Sequence, residues 1–262
     1  MATGHPSQSG RAGPDLSGQV VLITGAGRGL GRSLALHLSR CGAKVGVSDI
    51  DPASCRKTAD DVKAAGGAAW SLPADLSSQA AFEQVALDLA SQAGRIDAVI
   101  NNAAHLRYEP IEQVTEATVD LMLGAGLKSA IWGSQALVRH MDPERGGSLI
   151  FMSSPVVVRG YPTTAIYSAI KSAVTGLMRV LAAELGPRKV RVNAVSPGSV
   201  PTPGAMGPND PKVYEQRAKS IPLRRIGRES DVDKAVAFLL SDEAEFVSGT
   251  VLAVDGGAAA AP

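Results

Sequence analysis

The stretch Gln19–Gly31, QVVLITGAGRGLG, decides the architecture. Its first half, QVVLIT (19–24), is a short aliphatic and β-branched run, the pattern of a strand buried on both faces. Three glycines follow in G-x-x-x-G-x-G spacing, Gly25, Gly29 and Gly31, and then Leu30, Leu34 and Leu38 recur every fourth residue on a helix over 30–40. Glycines at a strand-to-helix turn let the backbone bend tightly and approach a pyrophosphate. The helix N-terminus beyond them offers unpaired N–H groups and the positive end of its dipole. A glycine cluster alone is only a turn. With the strand before it and the helix after it, nucleotide binding is the expectation.

The same alternation runs on to the C-terminus. Further strands are expected at 43–49, 68–72, 97–101, 147–153, 189–195 and 250–255, and helices at 53–65, 78–93, 113–141, 163–186, 211–219 and 229–241. Strands alternating with helices pair in parallel through right-handed crossovers, so the expected fold is α/β: a doubly wound parallel sheet of about seven strands with helices on both faces. No linker or fixed-period repeat divides it, which predicts one domain over 19–262. Residues 1–18 are rich in Gly, Ser and Pro and lack the apolar core of a secretory signal; they read as a flexible tail.

Composition narrows the function. With 45% hydrophobic and 19% charged residues the chain can bury a core, which excludes an intrinsically disordered protein. Its 26 basic and 25 acidic residues argue against nucleic-acid binding led by phosphate contacts. No run of 18 uninterrupted apolar residues appears, so no membrane partner is expected. Cys41 and Cys55 match no zinc spacing and cannot staple a chain of this length, which points to a reducing compartment and a cytoplasmic location. His5, His37 and His140 show no metal-ligand spacing, and no metal is expected.

Asp49 closes the second strand, about twenty residues beyond the glycine turn. A carboxylate there accepts from the ribose 2′- and 3′-hydroxyls of an adenosine and repels a 2′-phosphate, favouring NAD over NADP. Arg28, in the turn, argues the other way, since a cation can pair with that phosphate. Asp75, followed by Leu76, lies after the third strand; it can accept from an adenine amino group or cap the helix that begins near Ser77.

Tyr167 and Lys171 stand four apart within a predicted helix and so share one face. Ser154 ends the fifth strand, at the C-terminal edge where open parallel sheets bind ligands. A Tyr–Lys pair alone is a common surface feature. Joined to the glycine turn and the serine, it makes coherent chemistry. The ammonium stabilises a phenolate and lowers the tyrosine pKa from about 10 toward neutrality. Tyr167 then takes the alcohol proton as hydride leaves for a nicotinamide. Lys171 also holds the nicotinamide ribose, and Ser154 hydrogen-bonds the substrate oxygen.

In order, TGAGRGLG (24–31), Asp49, NNAA (101–104), Ser154 with YSAIK (167–171), NAVSPG (193–198) and VDGG (254–257) resemble the short-chain dehydrogenase/reductase family, over residues 17–257. The resemblance implies a Rossmann-type fold, a nicotinamide cofactor, a homotetramer, and Ser154, Tyr167 and Lys171 as the catalytic trio. It implies Asn101 and Ala103 along the cofactor channel and Pro197, Gly198 and Thr202 in the turn beside the nicotinamide. One departure stands out. Relatives carry an asparagine in a stretch like V-N-L-K-G, thought to hold a water of a proton relay through the lysine. Here the segment is AGLKS (125–129), with Gly126 in that place. Close helix packing, a local kink and poor activity are possible readings. The expectation is a rewired relay in which a backbone carbonyl or extra water fills the gap. Gly124, Gly126 and Gly133 each weaken a helix by about 1 kcal/mol relative to alanine.

Substrate contacts are expected from His105, Pro155, Val156, Val157, Tyr161 and Met206 near the strand ends. The Pro- and Gly-rich segment 199–214 is expected to serve as a lid. The expected function is hydride transfer between NAD(H) and a small-molecule secondary alcohol or ketone, with Tyr167 as acid and base. The alternative is an NADPH-dependent ketoreductase, such as a 3-oxoacyl carrier-protein reductase, with Arg224, Arg225 and Arg228 as a weak docking patch. A reading of another class is a cofactor-binding protein with little turnover, which Gly126 supports and the intact trio opposes.

Overall fold

The structure, a computed structural model, describes residues 13–202 and 211–261. Its strands are β1 Val20–Thr24, β2 Lys44–Ser48, β3 Ala69–Ser71, β4 Ala98–Asn101, β5 Gly147–Met152, β6 Val190–Pro197 and β7 Val251–Val254. They form one seven-stranded sheet in the order β3-β2-β1-β4-β5-β6-β7. Every pairing is parallel. The helices are α1 Gly29–Arg40, α2 Pro52–Ala64, α3 Gln79–Ala93, α4 Glu116–Leu123, α5 Ser129–His140, α6 Ala165–Leu185, α7 Pro211–Ser220 and α8 Glu229–Leu240. Parallel neighbours require crossovers, and these helices supply them. The strand order reverses between β1 and β4, and such a reversal opens a crevice at the C-terminal strand ends.

Each sheet face has its own apolar core. One joins Val21, Ile23 and Val45 to Leu34 and Leu38 of α1, Val62 of α2 and Val236 of α8. The other joins Leu22, Val99 and Phe151 to Phe82 of α3, Leu137 of α5 and Met178 of α6. Two boundaries differ from the sequence reading. Leu16 is fully buried in the first core and its N–H donates to the Cys41 carbonyl at 2.9 Å, so packed structure begins ahead of Gln19 rather than at it. The helical stretch over 113–141 divides into α4, a π-helical turn over Gly124–Lys128, and α5.

Where α8 meets α1, Asp233 is 3% exposed. Its Oδ2 accepts from Ser33 Oγ at 2.7 Å, and Oδ1 has no partner. Burial pushes this carboxyl up to about 6, with Ser33 opposing, Glu229 adding and Arg40 opposing. A folded-state pKa above the unfolded value means the neutral acid is the favoured buried form. The penalty is absent below pH 4, grows as pH rises and is complete above about pH 6. Asp233→Asn keeps an acceptor for Ser33, so it should raise stability by about 2–3 kcal/mol at pH 8 and by almost nothing at pH 4. Thermal unfolding at the two pH values checks this; equal gains at both would contradict it.

Candidate active site

Thr24 ends β1 and the chain turns sharply at Gly25, whose φ is +63°, and again at Gly29, φ +54°. Both values lie where a side chain is strained. Contact is as restrictive as torsion. A Cβ on Gly25 would stand 2.9 Å from the Ala103 Cα, one on Gly31 2.9 Å from the Ala26 Cα, and one on Gly27 2.9 Å from the Asp49 Cγ. The turn is fastened to β4 by Asn102, whose Nδ2 donates to the carbonyls of Thr24 (2.9 Å) and Gly25 (3.0 Å). Thr24 Oγ1 accepts in return from the Ala103 N–H at 2.9 Å. No acidic residue or side-chain cap occupies the start of α1, which leaves its first N–H groups open to an anion.

Asp49 sits against this turn, half-buried. Its Oδ2 accepts from the Gly27 N–H at 2.9 Å and its Oδ1 from the Asp51 N–H at 3.1 Å. Arg28 is exposed, and its charge bears on Asp51, which hydrogen bonds from Ser54 and Ala53 already hold below the usual carboxylate range. Asp75 is exposed and accepts from the Ser77 N–H at 3.0 Å; Ser78, not Asp75, caps α3. Leu76 is 6% exposed and its side chain packs in the core with Phe82.

NNAA needs correction. The Asn101 side chain is buried on the opposite side from the turn, where a Cβ on Gly133 of α5 would overlap its Oδ1, and neither of its polar atoms has a partner. Consecutive strand residues point to opposite faces, so only one of two neighbouring asparagines can face the turn, and it is Asn102. Ala103 does line the turn, against Gly25. Beyond β6, a Cβ on Gly198 would stand 2.7 Å from the Asp255 Cα, and Pro197 pairs in register with Val254. Thr202 lies over the glycine turn, its Cβ 3.3 Å from where a Cβ on Gly29 would stand.

The expected trio converges at the C-terminal edge of β5. Ser154 caps a short 3-10 turn over Pro155–Val157, its Oγ accepting from the Val156 N–H at 3.4 Å, and it stands near enough to the Tyr167 hydroxyl to oppose the rise that burial gives that phenol. Tyr167 is in the first turn of α6. Lys171, one turn later, is 6% exposed; its Nζ donates to the Met152 carbonyl at 2.6 Å and stands 5.7 Å from the Tyr167 ring centre. Burial works against the expected depression of the tyrosine. Burial pushes Tyr167 up to about 12, with Ser154 opposing and Tyr108 adding. Burial also pushes Lys171 down to about 8. The ammonium is directed at a carbonyl rather than at the phenol, so desolvation outweighs its attraction.

Gly126 lies in the π-helical turn. A Cβ there would stand 2.8 Å from the Ile170 Cγ2, and Ile170 is itself buried next to Lys171. A methyl group thus packs where a larger residue 126 would project. Ala125, the neighbouring carbonyl, accepts from Ser129 Oγ at 2.5 Å. This geometry matches the close-packing and local-kink readings.

The substrate-side residues divide. Pro155, Val156 and Val157 are half-buried at the strand edge, while His105 and Tyr161 are exposed in the loops after β4 and β5. Met206 lies outside the described residues, as does half of the lid segment; residues from Pro211 onward form α7. Sequence reasoning missed Tyr108. Its ring meets that of Tyr167 edge to face, centres 5.6 Å apart at 73°. Only its place in the loop after the fourth strand could have signalled it.

Comparison with known proteins agrees with this geometry. A family model described as enoyl-(acyl carrier protein) reductase matches residues 25–259. The 3-oxoacyl-[acyl-carrier-protein] reductase of Thermotoga maritima is 33% identical, covering 92% of this chain and 98% of its own. A 7α-hydroxysteroid dehydrogenase complexed with NADH and 7-oxo glycochenodeoxycholic acid superposes with a TM-score of 0.87 at 29% identity, over 93% of this chain and 95% of that one. A short-chain dehydrogenase from Burkholderia cenocepacia in complex with NADP gives 0.87 at 30% identity, over 93% and 98%. Parallel sheet, glycine turn, Ser–Tyr–Lys convergence and full-length likeness lead to one conclusion: the chain is an oxidoreductase of the short-chain dehydrogenase/reductase family.

Proposed function

We propose that this oxidoreductase moves a hydride between NAD(H) and a small-molecule secondary alcohol or ketone, with Tyr167 as acid and base. The observation that carries the reading is the convergence of Ser154, Tyr167 and Lys171 at the sheet edge that also bears the glycine turn. A nicotinamide dinucleotide fits the residues present: the turn is walled so tightly that added Cβ atoms collide, and Asp49 stands at its side. When bound, the nucleotide supplies or accepts the hydride. Ser154 orients the substrate oxygen. Tyr167 gives its proton to that oxygen in reduction and recovers it in oxidation. Lys171, fixed to the Met152 carbonyl, holds its positive charge behind the phenol and near the ribose.

Asp49 supports NAD. Two N–H groups aim its oxygens toward the crevice, each with a lone pair left for a ribose hydroxyl. Arg28 favours the second reading, an NADPH-linked ketoreductase, but its charge already bears on Asp51. A carrier-protein patch has less support, since Arg225 pairs with Asp231 at 2.6 Å. The α6 helix supports assembly into a homotetramer: its apolar window through Arg188 is only 28% buried, and Val180 is 60% exposed. That stretch is long and apolar enough to cross a membrane. We read it as a subunit face, because the same helix packs Val174 and Met178 into the core. Cys41 and Cys55, both buried and outside any disulfide, fit a reducing cytoplasm.

Paired fluorescence titrations with NADH and NADPH test the nucleotide assignment. NADH should bind at least about tenfold more tightly, and Asp49→Ser should remove most of that margin, as expected for hydrogen bonds to a charged group. Tighter binding of NADPH by the unaltered protein would overturn it.

A further inference from the structure

We propose that Tyr108 is a specificity-determining residue whose ring forms one wall of the substrate site and selects substrates carrying an aromatic ring on the reacting carbon. This deepens the alcohol/ketone reading and rests on it.

The argument starts from the position of the reacting atom. The substrate oxygen must meet the Tyr167 hydroxyl and Ser154, so the groups on its carbon extend along the neighbouring wall. Tyr108 is that neighbour, its ring centre 5.6 Å from the Tyr167 ring centre. It is not a core residue: 37% of it is exposed, and no glycine, cap or strand pairing needs it. Nor is it a freely waving loop side chain. The next residue, Glu109, is 9% exposed. Its N–H donates to the Thr163 carbonyl at 3.0 Å and its Oε2 pairs with Arg107 at 2.8 Å. Thr163 holds φ +67°, a left-handed conformation adopted at a cost by a β-branched residue, directly before α6. The loop after β4 is therefore tied to the segment that leads into Tyr167. The exposed part of Tyr108 is held in register with the reactive phenol.

Two further observations fit a binding wall. Burial raises the Tyr108 phenol, and the Arg217 guanidinium of α7 opposes that rise, so α7 brings its charge to the same side. A ring held edge to face on one aromatic partner still presents a π-face to a second. Such ring pairs contribute beyond area burial, by roughly three- to tenfold in affinity. An alkyl group of equal size would gain only the burial.

The test compares acetophenone with cyclohexyl methyl ketone, matched in size and carbonyl position. Calorimetry on the NAD⁺-saturated protein reads binding without turnover. The unaltered protein and Tyr108→Phe should both bind acetophenone about three- to tenfold more tightly, and Tyr108→Ala should bind the two ketones alike with an unchanged melting temperature. A general packing role would instead weaken both ketones together. Equal binding of the two ketones by the unaltered protein, binding of neither, or discrimination that survives Tyr108→Ala overturns the proposal. Absence of hydride transfer from NADH to acetophenone in a parallel assay counts against the alcohol/ketone reading alone, since the aryl preference is read from binding.

Discussion

Tyr167→Phe should lower kcat by about 10³-fold, within the usual range for removing a positioned proton donor. The substitution removes one hydroxyl and keeps the ring, so the edge contact with Tyr108 and the packing of α6 survive. Nucleotide affinity should stay within about twofold, because the glycine turn and Asp49 are untouched. Loss of kcat without loss of binding is the signature of a group that acts on the reacting atoms. The alternative donors are poor. Ser154 is an ordinary hydroxyl that accepts from the Val156 N–H, and Lys171 is directed to the Met152 carbonyl. Steady-state kinetics with any accepted ketone, beside a nucleotide titration, make the check. A variant that keeps more than a tenth of the activity would show that the proton comes from elsewhere.

Gly31→Ala is the second large effect. The new Cβ would meet the Gly25 carbonyl, stand 2.7 Å from Asn102 Nδ2 and lie 2.9 Å from the Ala26 Cα. Two of these neighbours are backbone, and the third is the amide that fastens the turn to β4. None can yield without opening the turn. Overpacking of this kind costs about 1–3 kcal/mol of stability. Displacing the turn should also weaken nucleotide binding by at least about tenfold, since backbone N–H groups must aim at the phosphates. Gly176→Ala in α6 is the control: nothing lies within 4 Å of its added Cβ, and helix propensity predicts a gain of about 1 kcal/mol. Equal behaviour of the two variants in thermal unfolding and nucleotide titration would contradict the packing argument.

What could be read from the sequence follows from what each signal measures. Hydrophobic period and glycine placement report local backbone, and they located every strand and the turn to within a residue or two. The convergence of Ser154, Tyr167 and Lys171 was legible because strand end and helix spacing are both one-dimensional. Four things were not. The choice between Asn101 and Asn102 depends on strand phase, which a motif read as letters ignores. The fit of Gly126 to Ile170 joins two helices far apart in sequence, and spacing carries no such contact. The Tyr167 proton affinity depends on burial and on where the Lys171 ammonium points, neither of which the motif carries. Leu16 was hidden in a Gly-, Ser- and Pro-rich stretch whose composition outweighed one apolar residue.

The central claim is hydride transfer at Tyr167, and isotope transfer tests it most directly. NADH deuterated at the transferring position is incubated with a panel of ketones and the products are weighed by mass spectrometry. The account predicts an alcohol heavier by a single deuterium with the unaltered protein, in one configuration, and a rate reduced about 10³-fold with Tyr167→Phe. Tight NADH binding with no deuterium in any product, and no oxidation of the matching alcohols with NAD⁺, would contradict it and leave a nucleotide-binding protein with little turnover.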